Sequence, residues 1–132
     1  MQYMFLICSG EGSGPERGSR EFQEMMAGYG AFTQEVRKAE IMKQGAPLQS
    51  VDTATTMRVH GGKPETYDGP FAETKEVLGG YYILECENLD EALTYAAKIP
   101  TAAFGSIEVR PVLEMYEHLG TAMTKLVAQN AQ

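Results

Sequence analysis

From Tyr3 to Cys8 the apolar side chains fall on both alternating faces, with Tyr3, Phe5 and Ile7 on one and Met4, Leu6 and Cys8 on the other. Such a strand belongs in the middle of a covered sheet. Ser9 to Gly18 has four glycines, one proline and no period, and reads as a mobile loop that could cover a pocket. At Ser19 the period turns helical, with Phe22, Met25, Met26, Tyr29, Phe32 and Val36 three or four residues apart. Ser19 is the expected N-cap, and Arg37 and Lys38 suit the negative end of a helix closing near Glu40. Gly28 and Gly30 in its interior point to close packing or a local irregularity, since each costs about 1 kcal/mol relative to Ala.

Beyond the helix, Ile41 to Leu48 reads as a short extended segment and Gln49 to Ala54 as a loop. Thr55 to His60 alternates as a strand, with Met57 and Val59 on one face and Thr56, Arg58 and His60 on the other. Gly61-Gly62 turns the chain, and Lys63 to Tyr67 pairs back as the second arm of a hairpin. That pairing sets Asp68 level with Thr55 or Thr56. Gly79 to Glu87 is the next strand. Asn88 caps a helix whose buried face is Leu89, Ala92, Leu93, Ala96 and Ile99, with Glu91 in the reciprocal capping position. Pro100 stops that helix, Ser106 to Leu113 forms the last strand, and Tyr116, Leu119, Met123, Leu126 and Val127 repeat at helical spacing in a C-terminal extension over 114–129. With right-handed crossovers this order predicts an α+β fold, a ferredoxin-like split βαβ antiparallel sheet with both main helices on one face. The Tyr, Ile and Val side chains of the other face need cover, which predicts a homodimer with two sheets meeting.

The stretch Tyr67 to Glu85, YDGPFAETKEVLGGYYILE, is the one around which the chain is organised. Asp68-Gly69 is a strong turn signal, and Pro70 biases Gly69 out of the α region so that the chain leaves the turn extended. Glu73, Thr74, Lys75 and Glu76 follow, and Gly79-Gly80 leave room for a backbone or a ligand to approach.

Composition narrows the function without naming one. The 132 residues suit one domain with one core, and 43% hydrophobic with 22% charged is ordinary for a globular chain. The opening apolar run is too short for a signal peptide and no run spans a bilayer, so a cytoplasmic protein is expected. Eleven basic against eighteen acidic residues give a net charge of −7 without a Lys/Arg cluster. Nucleic acid and anionic membranes are therefore poor partners. Cys8 and Cys86 have no metal-ligand spacing and read as a buried reduced pair. No nucleophile elbow, metal cluster or phosphate loop appears, so neither a metal nor another cofactor is expected.

Asp68 leads the candidates for chemistry, either as a general acid or base at a pocket mouth or as an Asx-turn residue bonding the backbone of Gly69 to Phe71. Arg58, His60 and Arg110 project from polar strand faces and would line one face together if their strands are close. There they would hold a carboxylate or phosphate, unless they form ion pairs with acidic neighbours such as Glu108. Glu73 and Lys75 offer a ligand a carboxylate and an ammonium, or are simply solvated. Tyr29 and Tyr81 would bound a small organic molecule or pack in the core.

The segments DGPFAETKE and LGGYYIL resemble the signature of the DGPF branch of the YCII-related family of small bacterial proteins. The likeness extends from Tyr3 to Val112, through the opening YMFLI, the segment MAGYGAF, Thr55-Thr56 before Met57-Arg58-Val59, and the closing IEVRPV. It implies a dimeric α/β barrel with a pocket near the sheet interface. Other YCII-like proteins resemble one another in pairing a His on the first helix with a downstream Asp. Here Ser19 to Glu40 contains no His, and Tyr29 falls near that place. Two functions follow as expectations. One is a cofactor-free small-molecule enzyme of lyase, hydrolase or isomerase type, with Asp68 moving a proton and Arg58 or Arg110 holding an anionic substrate. The other, which the resemblance implies, is a sensory or regulatory module whose partner is a sigma factor of the extracytoplasmic-function class.

Overall fold

A computed structural model describes residues 1–113 and 128–129. Its elements in chain order are β1 (Gln2–Gly10), α1 (Arg20–Lys38), β2 (Met42–Pro47), a 3-10 turn (Val51–Thr53), β3 (Thr55–His60), β4 (Lys63–Asp68), β5 (Glu76–Glu85), α2 (Leu89–Ala96), a second 3-10 turn (Pro100–Ala103) and β6 (Ser106–Pro111). The architecture is mixed α+β, with antiparallel sheets and two α-helices among the described residues. The C-terminal extension expected over 114–129 falls almost entirely outside the described residues.

Four strands form the main sheet in the order β2-β5-β1-β6. β5 pairs antiparallel with both β1 and β2, which therefore run parallel to each other on its two sides. One face carries the core, because paired residues share a side. Tyr3, Phe5 and Ile7 of β1 stand there with Tyr82 and Leu84 of β5, all buried, beneath Phe32 and Val36 of α1 and Ala92 and Ala96 of α2. Phe32 meets Tyr82 edge to face at 5.1 Å, and the Tyr82 hydroxyl shares a 2.8 Å hydrogen bond with Thr33. The opposite face carries Met4, Leu6, Tyr81 and Ile83, which are only half-buried.

Local signals set the helix ends. Ser19 accepts from the Phe22 amide at 3.1 Å, and Asn88 accepts from the Glu91 amide at 2.9 Å, so both expected N-caps form. α1 closes at Lys38, with Glu40 in the left-handed region at φ 60. Gly28 accounts for itself by close approach, since a Cβ there would stand 3.1 Å from Cγ of Pro100. Of the apolar stripe expected on α1, only Phe32 and Val36 are buried, and Met26 is 51% exposed. Along α2 the buried line is Ala92, Ala96 and Ile99, whereas Leu89 and Leu93 remain exposed. Small side chains let this short helix sit against the sheet, and the two leucines lie off the contact line. Pro100 does not simply end the helix; it opens the second 3-10 turn.

The hairpin departs from expectation. β3 and β4 pair as expected, His60 with Lys63 and Thr55 with Asp68, but they form a separate two-stranded sheet. β3 and β6 are therefore not neighbours, and Arg58 and His60 do not share a face with Arg110. The two cysteines are also distant from each other. Both are free; Cys86 is buried just beyond β5, while Cys8 is half-buried on the outer face. The Cys86 amide bonds to the Met1 carbonyl, so about seven residues of β1, about 23 Å, separate the thiols. A disulfide needs Cα atoms within roughly 7 Å.

Candidate functional site

The Asp68-Gly69-Pro70 turn is held by Gly69 itself. Its amide donates to the Ala54 carbonyl at 2.7 Å and its carbonyl accepts from the Thr56 hydroxyl at 2.8 Å. Its φ of 100 lies where L side chains are strained, so glycine is needed there. This is the role of the second of the two paired threonines. The Asp68 carboxylate accepts no hydrogen bond among the described residues and is exposed, so the expected Asx-turn does not form and the acid group is free to face solvent.

Around this turn lies a cleft of about 710 Å³. Its carboxylates come from four separate places: Asp68 at the hairpin base, Glu73 on the loop before β5, Asp52 on the first 3-10 turn, and Glu11 on the glycine-rich loop. Lys75 is the single cation of its lining. Ser50 orients the 3-10 turn by accepting from the Asp52 amide at 3.3 Å, and the Thr74 hydroxyl donates to the Glu76 carbonyl, fixing the loop that carries Glu73 and Lys75. A second hollow of about 400 Å³ shares Glu11, Val51, Asp52 and Val77 with the first and runs on toward Leu48 and Leu78. The combined space carries its charges around the turn and meets Leu48, Val77 and Leu78 along the start of β5.

The residues singled out from the sequence fall into four places. Asp68, Glu73 and Lys75 line the cleft together. Arg58 and His60 lie on the exposed hairpin. Tyr81 and Arg110 share the outer face of the main sheet, where Arg110 pairs with Glu108. Tyr29 is half-buried against the core, its hydroxyl hydrogen-bonded to that of buried Thr101. Burial raises the Tyr29 pKa, against the lowering effect of that hydrogen bond. None of Arg58, His60, Arg110, Tyr29 and Tyr81 lines the cleft.

Glu11 and Asp52 were not singled out from the sequence. The glycine-rich loop supplies Glu11 to the lining of the cleft. Asp52 follows Ser50 in a short capped turn, a pattern common enough on surfaces to point nowhere by itself. Glu11 comes from the loop after β1 and Asp52 from the loop after β2, and both reach the cleft beside the loop before β5 only in the folded chain. At the start of β5, next to the cleft, Glu76 receives the Ser106 hydroxyl at 2.6 Å, while its other carboxylate oxygen is buried without a partner among the described residues. Cys8 stands nearby with its pKa raised by burial and by the charges of Glu76 and Glu108. Among the described residues no helix is long and apolar enough to cross a membrane.

A family model for the YCII-related domain matches residues 1–116. An uncharacterized protein of Rhizobium meliloti (strain 1021) is 35% identical over 114 residues, covering 85% of this chain and 92% of its own. Among solved structures, 5-chloro-2-hydroxyhydroquinone dehydrochlorinase (TftG) from Burkholderia phenoliruptrix AC1100, in complex with 2,5-dihydroxybenzoquinone, aligns with a TM-score of 0.47 at 16% identity. It covers 87% of this chain and 96% of its own.

Proposed function

The chain belongs to the YCII-related domain family, and from that premise we propose that it binds a small organic molecule in the cleft at Asp68 and acts on it by acid/base chemistry. The observation that carries this reading is the cleft itself. A space of about 710 Å³ lies within the range of small-molecule sites, and it holds Asp68 and Glu73 as proton-transferring groups with Lys75 to hold a negatively charged part of the ligand. Leu48 and Leu78 along the adjoining hollow suit an apolar portion. The same reading takes the main sheet as ferredoxin-like, since its order β2-β5-β1-β6 fits a split βαβ, and takes two copies to meet through the half-buried outer face as a dimeric barrel. The regulatory alternative relies on an apolar patch within 116–127, which lies outside the described residues.

A thermal-shift screen of wild type and Asp68→Asn tests it, using hydroxy acids and phenolic carboxylates, because a ligand that binds only the native state raises the melting temperature. The expected result is a compound that shifts the wild type by several degrees, with the shift lost in Asp68→Asn while the unliganded melting temperatures stay equal. A compound that shifts both proteins equally would remove Asp68 from the site. No shift with any compound would overturn the reading.

A further inference from the structure

Among the described residues, the β3–β4 hairpin stands apart as its own two-stranded sheet. Its strands bond to each other and to no strand of the main sheet, and of their residues only Thr56 is not exposed. The pairing puts Met57, Val59 and Pro64 on one face, with Met57 60% and Val59 63% exposed. Arg58, His60 and Lys63 share the other face with Glu65 and Tyr67. A lone two-stranded hairpin is at best marginally stable in water, so an arm of this kind needs something to rest on. Its own cleft cannot serve. That cleft touches the hairpin only at Asp68, and the Gly61-Gly62 tip lies about 20 Å away along the strands.

Charge identifies the surface. Arg58, His60 and Lys63 make no ion pair among the described residues, in a chain whose net charge is −7. The cleft gathers Glu11, Asp52, Asp68 and Glu73 against Lys75 alone. We propose that the hairpin reaches across to a second copy of this chain and lays its basic face over that copy's cleft, each copy doing so for the other about a two-fold axis. Each site then takes its guanidinium and imidazole, Arg58 and His60, from the partner subunit. This deepens the small-molecule reading and rests on it and on pairing of the chains. It adds in trans two further cationic groups to the one, Lys75, that each chain brings to its own cleft.

Chain grown on heavy nitrogen and unlabelled chain are mixed, subunit exchange is confirmed by intact mass, and the mixture is treated with a zero-length carbodiimide. The reagent joins the Lys63 amine to a contacting carboxylate as an amide, with loss of water. Mass spectrometry is expected to find Lys63 joined to Glu11, Asp52 or Glu73, with half of these pairs carrying one label of each kind. The charge reversal Arg58→Glu with Lys63→Glu is expected to weaken self-association on the order of tenfold or more, and adding Glu11→Lys with Asp52→Lys is expected to restore it. Crosslinks confined to one label would show the arm on its own chain and overturn the proposal. A pair of copies without any crosslink from Lys63 to the cleft would overturn the arm and leave pairing through the sheet standing. A single copy at every concentration would overturn both. Failure of the thermal-shift screen with the mixed-label crosslink present would overturn the ligand reading alone.

Discussion

Gly69 shapes the cleft more than any charged residue beside it. Its amide and carbonyl are both engaged, and its φ of 100 turns the chain so that Asp68, Gly69 and Pro70 all line the cleft. Asp68 itself contributes no hydrogen bond to this turn, which is why Asp68→Asn is a clean probe: its effect on stability should stay within about 0.5 kcal/mol. Gly105 is equally constrained for packing, since a Cβ there would stand 2.3 Å from the Cys8 carbonyl oxygen. Cys86 gives a prediction with a sign. Burial, the largest cause, pushes its thiol up to about 11 from 9.0. The native fold therefore keeps a proton that the unfolded chain releases, so this stability is complete below about pH 9 and is lost as pH rises through about 11. Urea midpoints should fall between about pH 8 and about pH 10.5 by a loss on the order of 1–2 kcal/mol. Cys86→Ala, which starts from a lower stability, should show a shallower fall.

At the scale of elements, capping and periodicity were readable because they are local. Ser19 and Asn88 cap the helices that follow them, and the Gly61-Gly62 turn sets a register in which Asp68 meets Thr55. α2 spans only Leu89–Ala96 and buries chiefly alanines, so it draws more than most helices on its cap. Asn88→Ala should cost about 1 kcal/mol in a denaturant titration, and Asn88→Asp, which keeps an acceptor for the Glu91 amide, should cost little. What the pattern misjudged was which apolar residues these elements bury. Met26, Leu89 and Leu93 sit on helical stripes and are still exposed, because a stripe shows which side of a helix is apolar but not how far the sheet extends beneath it.

For the whole molecule, the proposed pairing of two copies rests on the outer face of the main sheet. Met4, Leu6, Tyr81 and Ile83 lie there half-buried beside Glu108 and Arg110. If two copies meet on this face, Leu6→Glu places a charge in the contact, and sedimentation should show one copy where wild type shows two, with the far-ultraviolet circular dichroism unchanged. A Leu6→Glu protein that still pairs would move the interface elsewhere. The sequence by itself determined the strand and helix sequence, both caps, the hairpin register and the turn at Asp68, because each depends on residues a few positions apart. It also placed Asp68, Glu73 and Lys75 together, since they fall within eight residues of one another. Only the tertiary structure decided that the hairpin leaves the main sheet, that Arg58 and Arg110 lie apart, and that Glu11 and Asp52 join the cleft. Those outcomes depend on how loops distant in the chain close onto β5, which is set by packing and hydrogen bonding between segments that carry no trace of one another in local pattern.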